Sequence, residues 1–520
     1  MQQLKLENLT TEQKLGMLYC SRCNTDENLE YTVELIKKHA LGSVQIAPHK
    51  KEYMRRVREA ADYPLLIICD TESGFPGSEK QPMSLMALSA CNKPEFFEVF
   101  AKAIVTEARA AGYNGTWGPV VDVLNCNSPC SVFRHFSDDP DRVGKGAEVM
   151  CKVYARNGYM SCGKHYPGGC DKPFDDHMAP TSSGCTAEML KERDLRPYQY
   201  LMDRDLLPSI MTSHRVFEQI DPDNSGTISP KVQGLIRDMG WNGVCFTDSF
   251  AMLSVLQKYG EEKVLGLAIA AGNDIVLPNY RTRTEDSFHH LMQNYADGIF
   301  SEERLNESAK RVIDLQNRLA QIPEAVDVFT AEDQILYDSI AKECVTAVTD
   351  AGLSPALDPN KSKLFIILTD NSFAVDKDAM ETATSEWYRP HRIAEKIKEI
   401  YPDAGIEFLP EFPSHNDNQR VLVASTEYDE TIFVSFCVTN AYLGTDGLTR
   451  RAEAVINALS LTGNLTALLH FGNPFAVEEL FHIPRIVFGY DIPDAQLYAI
   501  DVLAGTIPAN GTLPFKVNLK

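Results

Sequence analysis

The chain has 520 residues, of which 44% are apolar and 23% charged, and it carries a formal net charge of -22 at neutral pH. This length exceeds one ordinary hydrophobic core and predicts one large and one smaller domain. The acidic excess argues against nucleic acid as a partner, since that binding depends on basic side chains that displace counterions.

Features of location and redox state also follow from the composition. The chain has no apolar run near the roughly 20 residues that a bilayer span requires, and its first residues, Met1–Glu7, lack the pattern of a secretory signal. We therefore expect a cytoplasmic protein that does not enter a membrane. Several of the 13 cysteines lie in apolar runs, as free thiols do in a reducing compartment. Cys20 and Cys23 have zinc-like spacing but lack a matching second pair, so we expect no metal and no other cofactor.

A repeated unit runs from residue 16 to about residue 278: a short apolar run that ends in polar residues, then an amphipathic stretch of helical length. The predicted strands are Gly16–Cys20, Ser43–Ala47, Leu65–Asp70, Thr116–Asp122, Ser161–Lys164, Ser209–Thr212, Val244–Asp248 and Asp274–Leu277. Eight strands that alternate with helices indicate a (β/α)8 TIM-type barrel. The first run is the weakest, so a barrel with one strand missing or reversed stays open.

A second pattern begins after the amphipathic stretch Glu302–Leu319, which predicts a helix that ends near Ile322. Apolar runs beyond it alternate with helical stretches; the runs are Lys363–Leu368, Thr431–Phe436, Leu465–His470 and Arg485–Phe488. The sequence thus predicts a catalytic barrel over residues 1–330 and a C-terminal α/β three-layer sandwich domain over residues 350–520.

Polar side chains close several of the predicted barrel strands. These side chains are Asp70, Asp122, Lys164, His165, His214 and Asp248. The carboxyl ends of barrel strands converge on one face, where the active sites of such enzymes lie. One polar residue at a strand end would mean little, but six of them indicate a shared site.

The most specific segment is Lys164-His165-Tyr166-Pro167-Gly168-Gly169-Cys170, followed after four residues by Asp175-Asp176-His177. It resembles the K-H-F-P-G-H-G-x(4)-D-S-H signature of the β-N-acetylglucosaminidase (β-N-acetylhexosaminidase) branch of glycoside hydrolase family 3, without a gap. Gly243–Met252 is similar to the family's strand-end motif that carries a nucleophilic aspartate. Weaker similarities, in family order, lie at Asp70–Gly74, Gly118–Asp122, Arg134, Met211–His214, Ala271–Asp274, Gly472–Phe475 and Ala509–Phe515.

The resemblance implies a retaining hydrolase that releases a terminal N-acetylhexosamine, with Asp248 as nucleophile and His177 with Asp175 as acid/base pair. A histidine with a pKa near 6.5 can give and take a proton near neutrality. Asp175, two residues earlier, is expected to fix its tautomer and stabilise the imidazolium. The expected sugar-binding side chains are Asp70, Arg134, Lys164, His165, His214 and Asp122.

The sequence also departs from the family pattern. Gly169 stands where the signature has a second histidine, and Cys170 replaces its final glycine. After Glu72 the pattern E-G-G-R-V is absent, which argues against the anhydro-muropeptides on which bacterial recycling enzymes act. Separately, Asp221–Ser229 reads like part of a calcium loop, but Val232 occupies the position of the bidentate glutamate, so calcium binding is not expected.

Other functions remain open at this point. A β-glucosidase or β-xylosidase of the same family would take its acid/base glutamate from the second domain, where Glu427 and Glu430 are candidates. Phosphorolysis is a further alternative, because neutral histidine repels phosphate less than glutamate does. A metal-dependent barrel enzyme and an inactive scaffold are both disfavoured, since no ligand cluster has recognised spacing and the nucleophile and dyad are kept. The expected partner is a carbohydrate substrate. The aglycone and the oligomeric state, a homodimer among the options, are left open.

Overall fold

The computed structural model describes residues 2–126, 132–169, 171, 175–322, 327–370, 387–439, 441 and 447–520. The chain forms two compact units. The first unit comprises Met1–Lys80, Phe97–Cys126 and His135–Asp333, and the second comprises Gln81–Phe96, Asn127–Arg134 and Gln334–Lys520.

The first unit contains a short parallel pair of strands, β6 Ser182–Ser183 and β8 Val216–Phe217. Its other eight strands form a parallel barrel. They are β1 Cys20–Cys23, β2 Ser43–Ile46, β3 Leu66–Cys69, β4 Gly115–Thr116, β5 Cys162–Tyr166, β7 Ser209–Thr212, β9 Val244–Ser249 and β10 Ile275–Leu277. β1 to β4 pair in sequence, and so do β5, β7, β9 and β10. Parallel bridges between Gly115 and Met160 and between Tyr19 and Val276 join these halves. The predicted (β/α)8 barrel is confirmed, with its first strand present and parallel.

Two strand boundaries were predicted wrongly. Gly16 lies in a helix, Thr11–Met17, and the first strand begins only at Cys20. The run Gly16–Cys20 is apolar because the end of this helix packs closely against the backbone at Ala40. A Cβ on Gly16 would lie 2.0 Å from the Ala40 carbonyl oxygen. Thr10 and Gln13 form a capping box that marks this helix start. The fourth strand is shorter than expected, with regular pairing only at Gly115–Thr116 and a further bridge from Val120 to Lys164.

Helices alternate with the barrel strands. They are Thr11–Met17, Asp26–Lys37, Lys51–Ala60, Pro94–Ala110, Pro140–Arg156, Ala187–Met189, Arg196–Met202, Pro230–Asp238, Leu253–Tyr259, Glu261–Ala271, Thr284–Ala296 and Glu302–Ala320. The last of them confirms the predicted amphipathic helix, with Leu305, Ala309 and Val312 buried. In the described part of the chain, we find no helix of sufficient length and apolar character to span a bilayer.

The second unit contains a six-stranded sheet in the order β11-β16-β15-β14-β12-β13. The strands are β11 Thr346–Thr349, β12 Lys363–Thr369, β13 Gly405–Pro410, β14 Glu430–Cys437, β15 Leu465–Gly472 and β16 Arg485–Tyr490. β11 is antiparallel to its neighbour, and the other pairs are parallel. Its helices are Leu85–Cys91, Ala331–Glu343, Pro390–Ile400, His415–Ala424, Arg450–Leu461 and Pro493–Leu503. All eight residues of β14 are buried, as in a parallel strand covered on both faces. The predicted α/β class is confirmed.

Candidate active site

Asp248 lies one residue before the carboxyl end of β9, and about a fifth of its side chain is exposed. The Ser249 backbone N–H donates to its Oδ1 at 2.7 Å. The Nε2 of His165 lies 3.9 Å from its Oδ2. The carboxylate is thus fixed on one side and still accessible on the other.

The charge environment keeps Asp248 ionised. Burial acts to raise the pKa of this carboxyl, but the positive charges of His165, His214 and His177 and the Ser249 N–H outweigh it and lower the pKa below its usual 3.8. An ionised carboxylate at a strand end is suited to nucleophilic attack.

Asp122 orients His165. One of its oxygens accepts from the His165 backbone N–H and the other lies beside Nδ1, both at 2.8 Å. Burial acts to raise the pKa of Asp122, but the bond to His165 and the charge of that ring outweigh burial and lower it. Because a carboxylate accepts, the His165 ring carries its proton on Nδ1 and turns Nε2 towards Asp248.

Lys164 is held between two carboxylates. Its Nζ lies 3.0 Å from Asp70 Oδ1 and also contacts Glu72 Oε1. Lys164 is buried, whereas half of the Asp70 side chain is exposed and can face a ligand. Glu72 was not among the predicted site residues. It lies in the turn that follows β3, and its place in the family-like segment Asp70–Gly74 is a signal that could have found it.

The Asp175–His177 pair has the geometry expected of a dyad. Asp175 Oδ1 accepts from the His177 backbone N–H and lies beside Nδ1, at 2.9 Å in both cases. Asp175 is buried, while a quarter of the His177 side chain is exposed. This arrangement fixes the proton on Nδ1 and directs Nε2 away from Asp175. Cys170, whose replacement of a family glycine was noted above, lies outside the described residues.

His214 is buried and contacts the backbone next to Asp248. Its Nε2 lies 3.1 Å from the Ser249 carbonyl oxygen and its Nδ1 lies 2.8 Å from Thr227 Oγ1. The ring stacks on Phe250 with centroids 5.2 Å apart. Burial lowers the pKa of His214, although the charge of Asp248 opposes this. Nε2 therefore contacts the strand end that carries Asp248, whereas Nδ1 contacts the loop that contains Thr227.

Eight of the nine predicted site residues lie in the first unit, and those of the strand ends converge as expected. The ninth, Arg134, is the last residue of a 3-10 helix, Val132–Arg134, within a segment of the second unit, and it is half-buried.

The model of the glycosyl hydrolase family 3 N terminal domain matches residues 10–315. The chain belongs to glycosyl hydrolase family 3. It is 28% identical over 236 residues to a beta-hexosaminidase of Idiomarina loihiensis, an alignment that covers 44% of this chain and 71% of that protein. It is 27% identical over 350 residues to a beta-N-acetylglucosaminidase/beta-glucosidase of Cellulomonas fimi, which covers 60% and 58% of the two chains.

The fold agrees with that of a solved family member. A family 3 beta-N-acetylglucosaminidase from Paenibacillus sp. str. FPU-7 superimposes with a TM-score of 0.79 at 24% identity, covering 98% of this chain and 100% of that one. At this identity the similarity shows the shared barrel and α/β architecture.

Gly169, where the family signature has histidine, is explained by its surroundings. A Cβ there would lie 2.8 Å from Cε1 of Phe217, and the backbone has a φ of +74°. Its N–H donates to Asp194 Oδ1 at 2.9 Å. In this family 3 chain the buried Phe217 ring thus occupies the space that a larger side chain at position 169 would require.

The segment that resembles a calcium loop is closed by its own side chains. Ser229 Oγ donates to Asp221 at 2.6 Å, and Asn224 Nδ2 lies 3.2 Å from the same carboxylate. Among the residues that the structure describes, no group of three or more His, Cys, Asp or Glu side chains is arranged to hold a metal ion.

Proposed function

We propose that this family 3 protein is a retaining β-N-acetylhexosaminidase that releases terminal N-acetylglucosamine, with Asp248 as nucleophile and the Asp175–His177 dyad as acid/base. The observation that carries the proposal is the dyad itself, with Nδ1 of His177 held 2.9 Å from Asp175 near an ionised Asp248. The printed names of the Idiomarina and Cellulomonas relatives support the choice of sugar.

In the first step the Asp248 carboxylate attacks the anomeric carbon and forms a covalent glycosyl-enzyme. The bond from that carbon to the leaving oxygen breaks, and protonated His177 gives its Nε2 proton to this oxygen. The ring is left neutral with its remaining proton on Nδ1, where Asp175 accepts.

In the second step neutral His177 takes a proton from a water molecule through Nε2. The water oxygen attacks the anomeric carbon from the side of the departed group, and the Asp248 carboxylate leaves. Two inversions give net retention of configuration. Asp175 stabilises the imidazolium that re-forms, as a buried carboxylate beside a catalytic histidine does.

The terminal sugar is bound, in this proposal, by charged groups at the barrel mouth. Asp70 accepts from hydroxyls and Lys164 donates to them, while Glu72 holds the ammonium in place. His165 presents Nε2 beside the proposed nucleophile. Sugar binding by Arg134, which lies in a segment of the second unit, stays a prediction from the sequence. The contacts of Asp122 and His214 with protein atoms favour supporting roles for both in place of direct binding.

The competing β-glucosidase activity is favoured by one observation, the double name of the Cellulomonas relative. Its acid/base glutamate would have to come from the second unit. Of the two candidates, Glu430 is buried at the amino-terminal end of β14 with Lys363 Nζ 3.5 Å away, and Glu427 is exposed in the preceding turn. A buried, paired glutamate at that strand end is poorly placed for proton transfer.

The test is hydrolysis of 4-nitrophenyl N-acetyl-β-glucosaminide beside the glucoside and the xyloside. We expect a preference for the N-acetyl substrate and severe loss in Asp248→Ala and His177→Ala. Asp327→Asn is the matched control, because Asp327 is a half-buried carboxylate of the same unit that pairs with Arg156 at 2.7 Å. Preference for the glucoside, with full activity in His177→Ala and loss in Glu427→Ala or Glu430→Ala, would reject the proposal. If the product is a sugar 1-phosphate that forms only when phosphate is added, the reaction is phosphorolysis and the proposed hydrolysis is wrong.

A further inference from the structure

Asp176 lies between the two members of the dyad, where the family signature has serine. Its Oδ2 accepts from the Arg215 guanidinium at 2.7 Å. The side chains of Asp176 and Arg215 are only 19% and 11% exposed. Arg215 follows His214 directly, just after β7. The pair, here called the loop clamp, thus joins the His177 loop to a barrel strand end.

The loop clamp is part of a larger attachment. Thr181 Oγ1 also donates to Asp176 Oδ1. The loop continues into β6 Ser182–Ser183, which pairs in parallel with β8 Val216–Phe217. The Arg215 side chain also lies 3.5 Å from the Gly168 carbonyl oxygen, so one guanidinium contacts both Gly168 and Asp176.

The backbone of Arg215 and its neighbours is hydrogen-bonded to the segment that resembles a calcium loop, Asp221–Ser229. Gly226 N–H donates to the Arg215 carbonyl at 2.7 Å, and Ser225 bridges to Val216. Thr227 Oγ1 donates to the Ser213 carbonyl at 3.0 Å. The loop clamp therefore attaches the His177 loop to the segment after β7. The backbone of that segment is hydrogen-bonded both to β6 and to the segment that resembles a calcium loop.

We propose that Asp176 and Arg215 are positioning residues that hold His177 at the distance required for proton transfer. The inference rests on the proposed function, in which His177 is the acid/base. Proton transfer needs a separation within hydrogen-bond reach, so small displacements of a loop slow it strongly. A charge-assisted bond between poorly exposed partners is well suited to maintain that separation.

The distinguishing measurement is the dependence on the leaving group. Phenol is a poorer leaving group than 4-nitrophenol and needs more help from the acid. If the clamp positions His177, Arg215→Ala and Asp176→Asn will lower kcat/KM for phenyl N-acetyl-β-glucosaminide by about ten- to hundredfold, and for the 4-nitrophenyl glycoside by clearly less. A purely structural role would lower both equally.

The series includes the parent, His177→Ala, the exchange Asp176→Arg/Arg215→Asp, and Asp327→Asn as the control with a comparable Arg partner. Thermal melting reports folding for each, and the exchange variant tests the clamp should either single variant fold poorly. We expect the exchange to recover part of the lost rate for the phenyl glycoside and the control to match the parent.

Two results would overturn the inference and leave the proposed function intact. The first is that Arg215→Ala and Asp176→Asn fold and keep the parental rates while His177→Ala loses activity. The second is that the two clamp variants lose kcat/KM equally with the phenyl and the 4-nitrophenyl glycosides. Parental kcat/KM of His177→Ala with the phenyl glycoside would reject the proposed function itself, and the inference would fall with it.

Discussion

His165 Nε2 lies 3.9 Å from Oδ2 of Asp248. This separation exceeds a direct hydrogen bond, so the two groups interact mainly through charge. Since no strong bond occupies that oxygen from the histidine side, the carboxylate keeps a lone pair for attack. The ring itself is held from behind by Asp122, at 2.8 Å from Nδ1. Asp122 thus orients the ring that lies beside Asp248, the proposed nucleophile.

Asp122→Asn tests whether Asp122 orients the His165 ring. The amide keeps one acceptor for the His165 backbone N–H but places an NH2 group against Nδ1, which reverses the favoured tautomer. We expect kcat/KM to fall by about ten- to hundredfold, the range for one lost charge-assisted bond, with little change in melting temperature. Steady-state kinetics beside Asp327→Asn measures the effect. A loss below about twofold would show that the orientation of His165 does not depend on Asp122.

The ionisation of Asp248 depends on the neighbouring His165 ring. Its pKa is lowered below 3.8, so Asp248 stays ionised throughout the weakly acidic range and does not limit the parent there. His165→Gln removes a positive charge, which raises the pKa of Asp248 and moves the acid limb of kcat/KM to higher pH. The depressed pKa also contributes stability above 3.8 that is lost as the pH falls through the lowered pKa. An acid limb that stays in place in the variant would contradict this account.

Much of the fold was predictable because buried parallel strands read as apolar runs closed by polar residues. The first strand was placed wrongly since burial at a helix end, around Gly16 and Met17, gives the same apolar signal as a strand. Periodicity over five residues cannot separate the two. The capping box of Thr10 and Gln13 is the sequence feature that would have indicated a helix at this position.

The candidate site was predictable where its residues close a barrel strand or are neighbours in sequence. Lys164 and His165, or Asp175 and His177, form compact motifs whose spacing is informative. Glu72 and Arg215 contact partners that follow other strands of the barrel, and such pairings depend on which side chains become neighbours in space. No local pattern marks an arginine as the partner of a particular aspartate 39 positions earlier.

Gly169→Ala is expected to impair both stability and activity. The new Cβ would lie 2.8 Å from Phe217, and a φ of +74° is itself unfavourable for alanine, by about 1 to 3 kcal/mol. Phe217→Leu in the same chain relieves the shortest of the new contacts and leaves the backbone conformation unchanged. A double-mutant cycle on melting temperature and on kcat should therefore show partial recovery. Strict additivity would mean that the ring does not determine the glycine at position 169.

His470 provides a prediction for the second unit. It is fully buried, with Nε2 2.8 Å from the Asn473 carbonyl oxygen and Nδ1 2.8 Å from Ser435 Oγ. The carbonyl only accepts, so Nε2 carries the proton and neutral Nδ1 accepts from the serine hydroxyl.

Burial lowers the pKa of His470 from 6.5 to about 4, which means that the folded state resists protonation more than the unfolded chain does. The neutral ring therefore contributes stability above pH 6.5 that is lost progressively as the pH falls towards 4, on the order of 3 kcal/mol. His470→Gln offers the same donor and acceptor without a titration in this range. We expect the variant to be less stable at neutral pH and to lose less melting temperature than the parent on acidification. Equal losses in the two proteins would show that protonation of His470 does not limit acid stability.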